Sequence, residues 1–202
     1  MKSIEFYVNK FKYIDGIENA DISFISALQK RRLSSLDKIT FSALNNCFDT
    51  NVQNIIFSSP KGEIDRLLTI IEQYTNENVS SPIVFSASVH NYAVSAFLLN
   101  KNFSIPYNCI SAGEESFCAG LLAAITSKYD NNLFVYSDVQ NDKYISLCIN
   151  ISKNKKEGAL KFAVMNSVKQ SDYTLNDFIG LFNGNKKHIE TPLFIIERIS
   201  ND

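Results

Sequence analysis

Alternating apolar and polar side chains predict a strand over residues 4–13 (IEFYVNKFKY), where Lys and Asn interrupt the apolar face. Helical spacing follows over 21–46, in two pieces. Ile22, Ile25 and Leu28 share one face of the first piece, and Leu36, Ile39, Phe41, Ala43 and Leu44 give the second an apolar side. Ser34, three residues before Asp37, has the form of a capping box opening that second helix. The short apolar run 51–59 predicts a strand, broken by Pro60 and Gly62. Residues 63–75 then carry Ile64, Leu67, Leu68 and Ile71 at helical spacing, with acids in the first turn where the helix dipole favours them. A polar loop over 76–81 ends at Pro82.

The centre of the chain differs in character. Neither 83–99 nor 103–112 contains a formally charged residue. After Ser81-Pro82 we expect a strand-like apolar run, an apolar helix beyond His90, and a short strand ending near Cys109. The stretch GEESFCAGLLAAITSKY reads as a helix with Gly113, Ala119, Gly120, Ala123 and Ala124 closely spaced. Small residues let a helix backbone approach its neighbours, so this helix is expected between the layers of an α/β/α sandwich. Residues 132–139 and 143–152 predict two strands joined at Gln140-Asn141-Asp142, and 159–165 a third. A short helix over 175–182 ending at Gly184 and a last strand over 192–199 complete the pattern. No repeat or linker divides it, which leaves one domain over 1–202 of mixed α/β topology.

Composition narrows the class. Hydrophobic residues make up 45% and charged residues 20%, the balance of an ordinary globule. Twenty basic against twenty-one acidic residues leave a net charge of -1, which argues against a dedicated nucleic-acid binder. No apolar run reaches membrane-spanning length, and the N-terminus lacks the apolar core of a signal peptide, so a cytoplasmic location is expected. The four cysteines, Cys47, Cys109, Cys118 and Cys148, then read as reduced thiols; they form no CxxC pair, and no metal site or cofactor is expected.

Candidate chemistry is sparse. The chain contains no P-loop, GxGxxG, HExxH or GxSxG motif, and its only histidines are His90 and His188. His90 is either a site residue at a helix start or a hydrogen-bonded histidine that orients the turn with Asn91. His188 falls in a polar loop and reads as solvated. Cys109 would be activated at a helix N-terminus, yet it precedes Gly113 by four residues and so reads as an inert strand residue. Cys118 reads as core. Glu114 and Glu115 compensate the dipole of the following helix or place a carboxylate beside a reaction site. Arg31 and Arg32 read as a solvated helix start or a contact for an acidic partner; Lys153, Lys155 and Lys156 read as a hairpin tip.

The order of motifs carries a resemblance. Ser81-Pro82 before an apolar run, FSASVHNYAVSAFL, then a short strand into ISAGEESFCAGLLAA, resembles the N-terminal half of β-ketoacyl synthases of the thiolase fold. More narrowly, the chain resembles the short chain-length factors of aryl polyene biosynthesis. Arg31-Arg32-Leu33-Ser34 and FSSPKGEIDR agree with it, and the resemblance runs from about residue 20 to 165. It implies a thiolase-like half, layered α/β/α, with a mixed sheet and a buried central helix. In active members a cysteine sits at the strand-to-helix turn. Counting back from Gly120, that position falls on Ala112 or Gly113, and neither can attack a thioester. The family's catalytic histidines come from the second half of the fold, and His90 and His188 do not match them. Inactive partners in related polyketide systems carry Gln at the nucleophile position, and this chain does not.

The resemblance therefore implies a non-catalytic subunit that pairs with a complete β-ketoacyl synthase as a heterodimer and limits its acyl tunnel. The implied interface or tunnel-end residues are Phe85, His90, Asn91 and Tyr92, together with Phe97, Cys109, Glu114 and Phe117. Two alternatives stand beside it. One is an independent thioesterase or acyltransferase using Cys109 with His90. The other is a module docking acidic acyl carrier protein through Arg31, Arg32 and Lys38.

Overall fold

The computed structural model describes residues 3–77, 79, 81–166 and 171–199. A single eight-stranded sheet runs through it, in the order β3-β2-β4-β5-β1-β6-β8-β7. The strands are β1 (Ile4–Asp15), β2 (Asn54–Ser58), β3 (Tyr107–Ile110), β4 (Asn131–Gln140), β5 (Lys143–Ser152), β6 (Leu160–Asn166), β7 (His188–Glu190) and β8 (Phe194–Ile199). β2 runs parallel to both β3 and β4, and every other pairing is antiparallel. The long β1 joins the halves of this mixed sheet: Ile4–Val8 pair with β6, and Tyr7–Asp15 pair with β5. The β4–β5 hairpin closes through Asn141 and Asp142, both left-handed (φ 50° and 61°), the geometry that a two-residue turn between twisted strands requires.

Strand alternation fills a core on each side of the sheet. Ile55 and Phe57 of β2 and Leu133 and Val135 of β4 face one core, covered by α2 (Ser35–Cys47) and α5 (Tyr92–Asn100). Ile56, Phe134 and Tyr136 face the other, covered by α6 (Ser116–Thr126) and α7 (Leu175–Asn183). These are the layers of an α/β/α sandwich. The expected capping box opens α2: the Ser34 side chain accepts from the Asp37 N–H at 2.9 Å, and Asp37 accepts from the Ser34 N–H at 3.0 Å. Beneath that helix, the hydroxyls of Thr40, Ser137 and Ser146 form a buried chain with spacings of 2.7 and 2.9 Å. The polar atoms of this seam are thereby paired without water.

Five expectations change. Between 21 and 33 only α1 (Ala27–Lys30) is helical, because Asp21 accepts from the Ser23 N–H and turns the chain instead. Ile25 is buried there, whereas Leu28 is exposed. The strand-like run after Pro82 is a helix, α4 (Pro82–Ala87): proline's fixed φ and missing N–H suit the first helical turn, and a short apolar run does not distinguish strand from helix by period. His188 lies on edge strand β7, exposed, rather than in a loop. The last strand begins at Phe194, because the turn at Thr191–Leu193 takes up Pro192. The helix over the 63–75 stretch, α3, is Ile64–Glu77, so it enters the expected loop 76–81, of which 78 and 80 lie outside the described residues.

Candidate partner interface

β3 forms one edge of the sheet, and among the described residues one side of its backbone has no neighbouring strand. Grooves flank that edge on both faces. The one on the α6 side has a volume of about 600 Å³ and is lined by Asn54, Asn108, Cys109, Ile110 and Lys128 among others. The one on the α5 side, about 400 Å³, is lined by Leu98, Leu99, Phe103, Ile105 and Tyr107 among others. Leu99 stands 82% exposed, whereas Ala93, Val94, Phe97 and Leu98 of the same helix are buried.

Beyond β3, the chain turns sharply into α6 at Ala112-Gly113. Gly113 has φ +57°, and a Cβ built on it meets nothing within 4 Å. Ser116 locks the turn: its hydroxyl accepts from the Ala112 N–H at 2.9 Å and lies 2.7 Å from the Gly113 carbonyl. Gly120, one helical turn on, sets the depth of α6. A Cβ there would lie 2.6 Å from both Phe134 Cε2 and Ser58 Cβ, so only glycine permits this approach to the sheet. The Ser58 hydroxyl donates to the Ser116 carbonyl across the same seam. Phe117, Cys118, Leu121, Ala124 and Ile125 bury the core face of α6, while Ala119, Leu122 and Ala123 remain half-buried. An open cleft of about 380 Å³ adjoins the turn, lined by Glu114, Glu115, Tyr136, Asp172 and Tyr173 among others.

The helices α3 and α4 form an arm with a different surface. Leu67, Leu68, Ile71 and Tyr74 of α3 are all exposed, as are Ile83 and Phe85 of α4, and Phe85 is 61% exposed. No residue from Ile64 to Asn76 is fully buried. Leu67, Leu68 and Ile71, at helical spacing in the sequence, thus face outward. The anchor of this arm is Arg66. Its guanidinium lies 2.6 Å from Asp37, 3.4 Å from Glu63 and 4.8 Å from the centre of the Tyr92 ring. It also donates to the carbonyls of Ala87 at 2.6 Å and Arg32 at 2.8 Å.

The structure separates the residues expected at an interface. His90 Nε2–H donates to the Ser59 carbonyl (3.1 Å), and the ring tilts against Phe57 with centres 5.2 Å apart and packs where a Gly62 Cβ would lie. It is the hydrogen-bonded, turn-orienting histidine, with no hydrogen bond to Cys109. Asn91 reaches the Tyr107 hydroxyl at 3.4 Å, which ties the start of α5 to β3. Cys109 is half-buried in β3, and burial pushes its thiol up to about 11, leaving it a poor nucleophile. Glu114 is exposed, and its carbonyl accepts from Tyr173. Two expectations are corrected. Phe97 is fully buried and meets Phe41 and Phe48 edge-on, and Phe117 is buried against Phe134, Tyr136 and Phe178. Both are core residues, because α5 turns Phe97 towards α2 and α6 turns Phe117 towards the sheet and α7. Arg31 and Arg32 are exposed and Lys38 is half-buried. Sequence reasoning missed Glu63 and Arg66 as a site, although their i, i+3 spacing beside an apolar stripe is a readable signal.

Over residues 9–176 the sequence matches the N-terminal domain of β-ketoacyl synthases. The chain belongs to this family. Among solved structures, the fold matches a chain of the ketosynthase ApeO in complex with its chain length factor ApeC from Xenorhabdus doucetiae, with a TM-score of 0.74 and 16% identity. That match covers 96% of this chain and 99% of the other. The ishigamide ketosynthase/chain length factor matches with a TM-score of 0.55 and 11% identity over 68% of this chain and 50% of its own. The ketosynthase from module 1 of the bacillaene synthase of Bacillus amyloliquefaciens FZB42 matches at 0.50 and 10%, over 78% and 37% respectively. This ketosynthase-family chain therefore spans nearly all of the first relative and half or less of the other two. At such identities the likeness establishes the thiolase-like fold. No curated protein matches the sequence. Among the described residues, no helix is long and apolar enough to cross a membrane, and no group of three or more His, Cys, Asp or Glu side chains is placed to hold a metal ion.

Proposed function

We propose that this chain acts as one ketosynthase-like domain, a non-catalytic, chain-length-factor-like subunit of a cytoplasmic condensing enzyme. It pairs with a complete β-ketoacyl synthase as a heterodimer and closes the end of its acyl tunnel in polyene or fatty-acid-type biosynthesis. The observation that carries this reading is the turn at Ala112-Gly113, two residues with no nucleophilic side chain, beside a Ser116 hydroxyl held to the Ala112 and Gly113 backbone. Two features support it: the open edge of β3 with its flanking grooves, and the uncovered apolar arm. Phe85 is the tunnel-end residue, with His90, Asn91, Tyr92, Cys109 and Glu114 at or near the contact.

Co-expression with its cognate ketosynthase, followed by size-exclusion chromatography with light scattering, tests the pairing. A stable one-to-one complex is expected, with Phe85→Ala shifting the product chain length. A soluble monomer that ignores the synthase overturns the reading.

The alternative enzyme reading needs Cys109 and His90 within hydrogen-bond reach, and His90 is committed to Ser59. A carrier-protein contact has a specific observation in its favour. Lys30, Arg31 and Arg32 form no ion pair among the described residues, and Arg32 borders an apolar notch of about 210 Å³ with Leu33, Phe41, Tyr92 and Leu99. Binding of an acidic carrier protein at this notch would weaken steeply as salt rises.

A further inference from the structure

The arm is held to the body of the protein by charge rather than by buried apolar surface. The guanidinium of Arg66 touches groups contributed by five helices or their ends: the Arg32 carbonyl after α1, Asp37 of α2, Glu63 before α3, the Ala87 carbonyl of α4 and the Tyr92 ring of α5. Two carboxyls thus share one cation in a buried place. Asp37 is 0% exposed and Glu63 is 7% exposed. Asp37 Oδ2 takes Arg66 and the Ser34 N–H, whereas its Oδ1 is buried without a hydrogen-bond partner. Glu63 accepts from the Ser34 hydroxyl at 2.9 Å. Two ionised carboxylates against a single guanidinium would leave one uncompensated buried negative charge, which is costly. A proton kept on the pair of carboxyls removes that charge.

We propose that Asp37, Glu63 and Arg66 form a proton-holding clasp that fixes the α3–α4 arm in its docking position, and that the arm loosens as the proton is lost. The docking role rests on the heterodimer reading above; the clasp itself does not. Burial raises Glu63 to about 8, and the neighbouring Asp37 charge adds to this against the opposing pull of Arg66. Burial also raises Asp37, so the two behave as one pair. The other polar and charged groups near the clasp are Asp65, Lys61, Asp138 and Tyr144 around Glu63, with Arg32, Tyr92 and the His90 ring beside the adjoining segments. Asp65 is already engaged with the Tyr144 hydroxyl at 2.9 Å. The closed clasp holds a proton that the open arm releases. Opening therefore becomes easier as pH rises from the ordinary carboxyl range to about 8, and levels off above it.

Hydrogen exchange of the isolated full chain between pH 5.5 and 9, corrected for intrinsic exchange rates, reads this directly. Protection of α3 and α4 is expected to fall by up to about tenfold per pH unit and flatten near pH 8, while α6 and β4 keep their protection. Glu63→Gln, which retains the neutral shape and a donor, should hold the arm protected across the range. Asp65→Asn, altering an acid outside the clasp, should leave the wild-type profile intact. A flat wild-type profile, or an identical decline in Glu63→Gln, overturns the clasp. Should Glu63→Gln fail to fold, the wild-type and Asp65→Asn profiles decide on their own. Titrating the ketosynthase partner at pH 6.5 and 8.5 separates the two readings. A clasp that opens while affinity stays constant rejects the arm as docking surface, and absence of any complex rejects the heterodimer without touching the exchange result.

Discussion

Two helices of this protein each follow a parallel strand, and their sequences both carry an apolar stripe. α6, after β3, lies so close to the sheet that Gly120 has no room for a methyl group. α3, after β2, leaves Leu67, Leu68 and Ile71 in the open and is fastened at its first turn by Glu63 and Arg66. An apolar stripe therefore identifies a helix but not what it covers. Backbone approach permitted by small residues decides the first case, and a buried charge cluster decides the second.

Substitutions should break the two regions in different ways. The largest effect is expected at Phe117, whose ring meets Phe134, Tyr136 and Phe178 at centre distances of 5.4, 5.4 and 4.5 Å. Phe117→Ala should cost about 3–5 kcal/mol in urea unfolding of the isolated chain. Gly120→Ala comes next, at about 1–3 kcal/mol, because α6 must lift from Ser58 and Phe134. Ser34→Ala removes both the α2 cap and the hydroxyl bond to Glu63, and should cost about 0.5–2 kcal/mol with added exchange in α3. On the arm the pattern reverses. Leu68→Ser and Ile71→Ser should change the stability of the isolated chain by no more than about 0.5 kcal/mol. The same changes should weaken the proposed heterodimer roughly tenfold or more, as loss of a buried interface anchor does. Equal losses of stability in both regions would erase the contrast. The smallest effect concerns Cys109: its raised thiol should leave it on the order of a hundredfold less thiolate than an unperturbed cysteine, so iodoacetamide labelling of the native chain at pH 7.5 should be slow.

Much of the architecture is legible in the sequence. The Ser34–Asp37 box, the β4–β5 hairpin and α7 ending at the left-handed Gly184 are local devices whose chemistry lies within a few residues. The Ala112-Gly113 turn was legible as well, through its spacing from Gly120. Phe97 and Phe117 were misplaced for a different reason: an aromatic ring in a charge-poor segment fits a core and an interface equally well, and only the facing of its helix separates them. The cluster around Arg66 is not legible in one dimension, because four of its five partners are distant in sequence, two of them backbone carbonyls.

Most of the elements, the mixed layering and the Ala112-Gly113 pair at the strand-to-helix turn are written in the sequence. Periodicity, caps and residue chemistry are local, and they survive in one dimension. Only the tertiary structure decided which apolar stripes stay uncovered, that His90 serves Ser59 rather than Cys109, and that two acids share one arginine. Burial and charge pairing depend on which distant residues meet, and the chain settles that only when the sheet brings its helices together.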